Sequence, residues 1–334
     1  MLYIAGSSSY QISSEYPLKA SFTFTVTQKH HKKMLVSYLS DNMPQMEQAF
    51  WLQLLANGLV SVDGVLINQD QPMEIGQVVQ YEIEDYQEGA VDTAWSTIWH
   101  DQKIAAIHKP ANLPVSRTTR NVYNTLIQLL RRESPWPDAH LLHRLDLETS
   151  GIILVGLTND DASAFQPNLP SLIRRKIYHA IVHGEPSWQQ LDYQCDIKTL
   201  KDSAIRCQMH PVETGQGKSS QTLFNVLASN NGFSVIECEL KTGRKHQIRA
   251  HLSSLGFPIV GDKIYSNKGA FYLKRLEDNL TQADHDQLLT EHHLLHAHQV
   301  HINPDLESKE IRVITDNDYP KAWLDFCDAQ GLTV

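Results

Sequence analysis

Cysteine is scarce in this chain, and its few copies lie far apart. The four cysteines among 334 residues are Cys195, Cys207, Cys238 and Cys327. No two of them form a Cys-x-x-Cys pair, which excludes a zinc knuckle or a dithiol redox motif of that kind. We therefore predict reduced, mostly buried thiols in a cytoplasmic protein.

Long apolar runs are also missing. No apolar segment approaches the ~18 residues that a membrane-spanning helix requires, so the sequence predicts no transmembrane segment. The first six residues are apolar but carry no basic region, and we predict no signal peptide there. A content of 41% hydrophobic and 20% charged residues instead indicates a protein with a sizeable core.

Positive charge is not in excess. The chain has 29 Lys and Arg against 38 Asp and Glu, a net charge of −9, which argues against a uniformly basic nucleic-acid-binding surface. The deficit is concentrated in the first ninety residues, where four basic residues oppose ten acidic ones. Further along, basic residues cluster at 174–176 and 244–249. A local basic cleft on an acidic body can still bind a folded RNA.

The length suggests about two domains. We predict a polar lead-in segment over residues 1–20, a small α/β module over 21–90 and a larger domain over 91–334. Residues 87–95 read as the linker. In the module, the patterns predict a strand at 22–26, helices at 32–40 and 46–57, a hairpin at 59–67 and a strand pair within 73–86.

In the larger domain, short apolar segments predict strands, and two further segments predict helical or surface structure. The predicted strands are 95–99, 104–107, 152–157, 176–183, 222–228 and 233–241. A helix is expected at 121–132, and polar residues 266–291 are expected to form a surface helix or insertion. Short strands with few helices favour the α+β class over a doubly wound fold.

The most informative segment is His-Arg-Leu-Asp at residues 143–146. It places Asp146 in a polar turn just before the apolar run 152–155, which is typical of a buried strand. A carboxylate that a turn presents beside a strand is a candidate nucleophile or general base. The alternative is a structural aspartate that pairs with Arg144 or caps the turn.

Together with later segments, this one resembles the RluA-type family of RNA pseudouridine synthases. The matching segments, in the family's order, are 107–115, 143–151, 176–184, 242–252, 256–265 and 295–297. The resemblance covers roughly residues 91 to 315, and ordered motifs of this kind are far more specific than any one alone. Departures from the family pattern are Asn112, Leu147, Glu148 and Ile177.

The resemblance implies a mixed, largely antiparallel sheet with a central catalytic cleft. It implies that Asp146 is the catalytic carboxylate and that Arg249 pairs with it, although Arg249 as a phosphate or structural partner is an alternative. It also implies that Tyr178 stacks on the uracil, where a core tyrosine is the alternative. The residues expected to bind RNA or uracil are Arg144, Arg244, Lys176 and Leu295, of which Leu295 could equally be a plain core residue.

The small module resembles an S-four-like RNA-binding domain, but its second helix offers Gln45, Glu47, Gln48 and Gln53 in place of basic residues. A structural or protein-contact role is therefore an alternative to RNA binding. The presence of such a module favours large-subunit ribosomal RNA as the substrate, and transfer RNA stays open. We expect a cytoplasmic monomer without membrane association.

Other functional classes were compared with this interpretation. His292 and His296 have helical spacing for a metal-dependent hydrolase, but no His-Glu-x-x-His motif, carboxylate partner or nearby cysteine accompanies them, so we predict no metal and no small-molecule cofactor. A glycosidase usually needs two carboxyl groups, and the motif supplies one. A non-catalytic RNA-binding protein on the synthase fold is the remaining alternative, and the intact Asp146, Tyr178 and Arg249 argue against it.

Overall fold

The computed structural model describes residues 20–44, 46–304 and 310–333. The predicted lead-in over residues 1–20 lies outside the described residues apart from Ala20, as does Gln45 of the predicted second helix. Within the described parts of the chain, no helix is long and apolar enough to span a membrane.

The described residues form two compact units. The first combines the chain up to residue 91 with residues 116–129, and the second combines residues 92–115 with the chain from residue 130 onward. The predicted boundary at residue 90 places 116–129 in the larger domain. In the structure, Val122 and Tyr123 of that segment pack into the hydrophobic core of the first unit.

The first unit contains a four-stranded antiparallel sheet with two helices. Its elements are β1 Ala20–Thr25, α1 Leu35–Asn42, α2 Gln48–Ala56, β2 Val60–Val62, β3 Val65–Ile67 and β4 Val78–Ile83, with a 3₁₀ helix at Gln28–His30. The strand order is β1-β4-β2-β3. Its core surrounds the fully buried Trp51 and includes Leu35 and Tyr81.

The predicted strand pair within residues 73–86 is wrong, since this stretch contains the single strand β4. Met73 is buried, and its backbone amide and carbonyl bond instead to Lys33 O and Lys32 N of the segment before α1. These bonds occupy the groups that a second strand would have needed.

The chain from residue 92 onward forms the other elements. They are β5 Ser96–His100, β6 Ile104–Lys109, α3 Leu126–Glu133, β7 His140–Leu141, β8 Ser150–Gly156, α4 Asn159–Phe165, α5 Leu169–Leu172, β9 Ile173–His183, β10 Gln190–Lys198, β11 His210–Val212, β12 Lys218–Asn230, β13 Phe233–Leu240, α6 Gln247–Ser254, α7 Ala270–Glu277, α8 Gln282–Leu288, β14 Leu295–Ile302, β15 Arg312–Thr315 and α9 Lys321–Gln330. Two 3₁₀ helices lie at Gln166–Asn168 and Asn267–Gly269.

The strands of the second unit form one large sheet in the order β11-β10-β12-β13-β9-β14-β8-β6-β5, with β15 on β14 and β7 on β8. Among the described strands of this sheet, β8 and β14 pair in parallel and the other neighbouring pairs are antiparallel. The predicted α+β class, with a mixed and largely antiparallel sheet, is therefore confirmed.

The predicted helix at 121–132 begins later, at Leu126. The amides of Val122, Tyr123 and Asn124 donate to the Glu88 carboxylate, which holds this stretch outside the helix. The expected surface region 266–291 consists of α7 and α8 joined by a short loop. Thr281 and Asp284 form a capping box that starts α8.

The parallel pairing of β8 with β14 depends on Gly151. Its φ of +101° lies in the region that favours glycine, and a Cβ at this position would stand 2.4 Å from the carbonyl oxygen of Ala297. The missing side chain lets the two strands approach, and Ser150 lies opposite His296. The turn before β8, which carries Asp146, is thereby fixed against β14.

Candidate active site

Asp146 lies in the turn between β7 and β8. The turn is closed by the amide of Thr149, which donates to the Asp146 carbonyl oxygen at 3.2 Å. Its beginning is anchored by His143, whose Nε2 accepts a hydrogen bond from the amide of Leu154 at 3.1 Å. Leu145 is buried, while the Asp146 side chain is 28% exposed. The carboxylate therefore reaches solvent from a firmly held backbone.

Arg249 of α6 binds the Asp146 carboxylate. Its Nη1 donates to Oδ2 of Asp146 at 2.8 Å, while Nε and Nη2 donate to the two oxygens of Asp262 at 2.7 Å and 2.9 Å. Asp262 is fully buried, and the amides of Ile264 and Tyr265 donate to its Oδ1. A buried guanidinium whose three nitrogens all donate to carboxylates has little freedom to rotate.

The charges around Asp146 keep it ionised. Burial raises the pKa of the carboxyl, but Arg249 outweighs burial, and His246 and His293 add to its effect in the acid range where they are protonated, so the pKa is lowered to about 2. The group is a carboxylate throughout the neutral range, as a nucleophile or a base must be.

His246 lies near the same carboxylate oxygen of Asp146 that Arg249 binds. It adopts a left-handed conformation, with φ of +54°, at the start of α6, and its Nε2 lies 3.8 Å from Asp146 Oδ2. Its Nδ1 lies 3.2 Å from the hydroxyl of Tyr265, which accepts a hydrogen bond from the amide of Met209. Burial and then Arg249 lower the His246 pKa to about 4, so the ring is neutral. A neutral ring carries a single N–H, and in the tautomer that accepts the Tyr265 proton at Nδ1 this N–H is on Nε2, the nitrogen nearer to Asp146.

Tyr178 of β9 is buried and lies within the field of Asp146. Burial, and then the charge of Asp146, raise the pKa of the phenol well above its ordinary value, so the phenol stays protonated. Tyr178 lines a small pocket, and the other lining residues are His143, Ile152, Lys176, Ile177, Ala297, Gln299 and Val300. The structure places Arg249 in direct contact with Asp146, and Tyr178 lies close enough for the charge of Asp146 to raise its pKa.

The remaining predicted binding residues lie in different environments. Arg144 and Arg244 are exposed, and Arg244 Nε donates to Ser219 O at 3.0 Å. Lys176 is half-buried in the Tyr178 pocket, and burial lowers its pKa. Leu295 is buried and lines a separate small cavity with Ser150. A role of these residues in binding RNA or uracil stays a prediction.

The comparison with protein families decides which group of proteins this is. A family model described as RNA pseudouridylate synthase matches residues 103–254, an interval that contains Asp146, Tyr178 and Arg249. Over this segment the chain belongs to the RluA-type family of RNA pseudouridine synthases. Its reaction class is the isomerisation of uridine in RNA.

Several relatives of this synthase are similar over a large part of the chain. An uncharacterized RNA pseudouridine synthase of Synechocystis is 29% identical over 235 residues, 70% of this chain and 80% of the relative. The mitochondrial tRNA pseudouridine(32) synthase of Saccharomyces cerevisiae is 25% identical over 264 residues, 77% of this chain and 57% of the relative. The ribosomal large subunit pseudouridine synthase D of Zymomonas mobilis is 30% identical over 182 residues, 52% of this chain and 56% of the relative.

A solved structure shows the same fold. Human RNA Pseudouridylate Synthase Domain Containing 1 superposes with a TM-score of 0.53 and 24% sequence identity, covering 70% of this chain and 86% of that one. The chain spans somewhat more than half the length of the yeast and Zymomonas relatives. The likeness to the human structure concerns the fold alone.

Two further residues of the synthase site, Asp262 and Lys109, lie within the motif segments 256–265 and 107–115, but the sequence predicts no role for them. Asp262, in the Gly-Asp segment, orients Arg249 as described above. Lys109, in the Lys-Pro segment, is fully buried, and its Nζ donates to the carbonyls of Pro110, Leu113 and Leu147 at 2.8–3.0 Å. Burial lowers the Lys109 pKa to about 7. Each of these two residues is a charged side chain next to a Pro or Gly of a turn, and this pattern is the sequence signal by which they could have been found.

The histidine spacing that suggested a metal site does not exist in the fold. His296 lies in the strand β14, so helical spacing from His292 does not apply. The His296 ring bonds to the Ser150 hydroxyl at 2.9 Å and to the Asp316 carbonyl at 3.1 Å. Among the residues that the structure describes, no group of three or more His, Cys, Asp or Glu is placed to hold a metal ion.

Proposed function

We propose that this synthase converts specific uridines of structured RNA to pseudouridine, with Asp146 as the catalytic carboxylate. The observation that carries the proposal is the geometry of Asp146, a partly exposed carboxylate that Arg249 keeps ionised within the segment matched by the family. Its neighbour Tyr178 lines the adjacent pocket.

The chemistry requires such a group. Uridine is joined to ribose through nitrogen and pseudouridine through carbon, so the enzyme must break the glycosidic bond, turn the uracil and rejoin it at C5. Asp146 can attack the anomeric carbon or remove a proton from the neighbouring sugar carbon, and both roles need the ionised form. Bond breaking and bond making compensate, so the proposal includes no cofactor and no energy source.

The target base must leave its stack to reach Asp146. We propose that Tyr178 then packs against the uracil and offers its protonated hydroxyl. Arg144 and Arg244 are exposed cations of the second unit, and Lys176 lines the pocket of Tyr178. We propose that these three residues contact the RNA.

We propose large-subunit ribosomal RNA as the substrate, with transfer RNA as the alternative. Relatives named for each substrate exist, the Zymomonas enzyme for the large ribosomal subunit and the yeast enzyme for tRNA. The S-four-like pattern of the first unit supports the ribosomal choice. Two lysines of the first unit nevertheless form ion pairs, Lys32 with Glu74 and Lys33 with Asp41, which reduces the positive charge available to phosphates. A cytoplasmic monomer is part of this proposal.

The test is tritium release from C5-tritiated uridine in bulk ribosomal RNA and bulk transfer RNA. The wild-type protein is compared with Asp146→Asn and with Asp286→Asn, a matched change of an exposed aspartate in α8. We expect release by the wild type and by Asp286→Asn, and none by Asp146→Asn. Release from only one pool would identify the substrate class.

Two results would contradict the proposal. Release that persists in Asp146→Asn would remove Asp146 from the chemistry. No release from either pool by a folded wild-type protein that still binds RNA would favour the non-catalytic RNA-binding alternative.

A further inference from the structure

The turn that carries Asp146 is held at each of the four residues that follow it, and each hold comes from a different part of the second unit. The contacts are Lys109 Nζ to Leu147 O at 3.0 Å, Lys263 Nζ to Glu148 Oε1 at 2.9 Å, His293 Nε2 with Thr149 Oγ1 at 2.8 Å, and His296 Nδ1 with Ser150 Oγ at 2.9 Å. Of these residues, Glu148 is the one whose charged side chain has no place in the chemistry proposed above.

Glu148 is a buried carboxylate with a complete set of partners. Its Oε1 accepts from Lys263 Nζ and, at 3.3 Å, from Arg275 Nη1 of α7. Its Oε2 accepts from the backbone amide of His293 at 3.2 Å. Burial raises the pKa of Glu148, but Lys263 and the other nearby cations outweigh burial and bring the pKa far below its ordinary range. The side chain is therefore a fixed anion.

Lys263 connects Glu148 to the catalytic pair. It directly follows Asp262, the residue that orients Arg249, and Arg249 in turn holds Asp146. The links close into a ring. Three of them are ion pairs, Asp146 with Arg249, Arg249 with Asp262 and Lys263 with Glu148. The other two are backbone, from Asp262 to Lys263 and from Glu148 back to Asp146. Moving Glu148 away from Lys263 would shift the turn relative to Arg249.

The backbone just before Lys263 is closely packed against the segment that precedes β14. Gly261 has φ of +78°, and a Cβ at this position would stand 2.5 Å from the carbonyl oxygen of His292. Lys263 Nζ also donates to the carbonyl of Glu291. The residues before β14 therefore contact both partners of the ion pair, Lys263 through the Glu291 carbonyl and Glu148 through the His293 amide.

We propose that Glu148 is a positioning residue that, through Lys263, sets the direction in which Asp146 presents its carboxylate beside Arg249. The inference rests on the proposed function of Asp146. A stability role explains the arrangement poorly, because a buried ion pair gains little net stability over apolar side chains of similar volume. Fixing the register of a turn is a role that such a pair performs well, since its geometry is specific.

The ionisable groups around this ring define what a pH measurement reports. Asp146 is faced by Arg249 and His246 from the α6 segment, His293 from the segment before β14, Lys109 from β6 and Tyr178 from β9. Glu148 is faced by Lys263, Arg275, His292 and His293. A turn displaced from Arg249 leaves Asp146 less stabilised as an anion, so the acid limb of its activity would move to higher pH.

The experiment uses Glu148→Gln in the full chain and measures single-turnover formation of pseudouridine over a range of pH. We expect the rate at neutral pH to fall on the order of 10²-fold, with the Kd for RNA unchanged and the acid limb shifted to higher pH. Glu148→Asp keeps the charge and should recover part of the rate. A merely structural role would lower the fraction of active protein without moving the acid limb.

A double substitution separates stability from positioning. Glu148→Gln with Lys263→Met removes both partners of the ion pair, so thermal stability should return toward that of the wild type while the rate stays low and the acid limb stays shifted. Lys274→Met is the control. Lys274 lies on α7, as Arg275 does, and its substitution breaks an ion pair with Asp284 but leaves the partners of Glu148 in place. Recovery of rate together with stability in the double variant would overturn the proposal.

A structural readout keeps this inference separate from the proposed function. In a crystal structure of Glu148→Gln, or of the milder Glu148→Asp if the first does not fold, we expect a longer distance between Arg249 Nη1 and Asp146 Oδ2 than 2.8 Å. An unchanged distance would overturn the positioning role even if the enzyme is active. An inactive wild type would count against the proposed function, and this distance would still decide the role of Glu148.

Discussion

Arg249 donates to Asp146 with Nη1 at 2.8 Å while Asp262 holds its other two donor nitrogens. One buried guanidinium is thus shared by a fully buried carboxylate and a partly exposed one. The buried partner, Asp262, fixes the orientation of the guanidinium, and the other partner, Asp146, reaches solvent.

Arg249→Lys should be strongly impaired in spite of its conserved charge. A lysine ammonium is a point charge and cannot bind Asp262 through two parallel hydrogen bonds while also reaching Asp146. We expect the single-turnover rate to fall on the order of 10²-fold. Arg312→Lys, which changes an exposed arginine stacked on Trp99, is the control and should leave the rate unchanged. An equal effect of both substitutions would contradict the orienting role.

Asp146 should also contribute to stability in a pH-dependent way. Its folded-state pKa of about 2 lies below its ordinary value of 3.8, so the stabilisation is fully present above about pH 4 and is lost as the pH falls toward about 2. Asp146→Asn should therefore unfold at a lower urea concentration, with a free energy of unfolding that is about 2 kcal/mol smaller at neutral pH. Urea unfolding at pH 7, 5, 4 and 3 (about one unit apart near the transition) should show the difference shrinking only below about pH 4. A difference that grows on acidification would have the wrong sign.

Tyr178→Phe should separate chemistry from folding. The hydroxyl is held protonated by burial and by Asp146, and its loss leaves the ring and its packing in place. We expect the rate of pseudouridine formation to fall by roughly 10²-fold with stability and RNA affinity preserved. Tyr193→Phe, which removes a half-buried hydroxyl bonded to Ser254, is the matched control. A rate unchanged by Tyr178→Phe would limit Tyr178 to packing.

Gly151→Ala should destabilise the second unit. The new Cβ would lie 2.4 Å from Ala297 O in a backbone conformation that alanine rarely adopts, and we expect a loss of about 3 kcal/mol in the free energy of unfolding. Gly232→Ala has a similar positive φ of +78° but no neighbour within 4 Å, so it should cost only about 1 kcal/mol. Equal losses in urea unfolding would show that the contact with β14 is unimportant.

Local patterns predicted the strands that are apolar on their buried faces. β6 and β8 are buried along their whole length, and their apolar runs are visible in the sequence. β10 and β14 were not predicted, because β10 alternates polar residues with few apolar ones and β14 contains three histidines. In β14 the fully buried His296 occupies a position where an apolar residue would have marked a strand, since Ser150 and Asp316 satisfy its ring nitrogens.

The sequence by itself determined the family and the α+β class, because ordered short motifs of uncommon residue types mark them. The same motifs name Asp146, Tyr178 and Arg249 as candidate site residues, and their roles stay a prediction. Only the tertiary structure decided how these residues are held. Lys263 and Glu148 are 115 residues apart in the chain, and Arg249 and Asp146 are 103 apart. Such pairs form only when packing of the sheet brings distant turns together, and no local pattern records which charge will meet which.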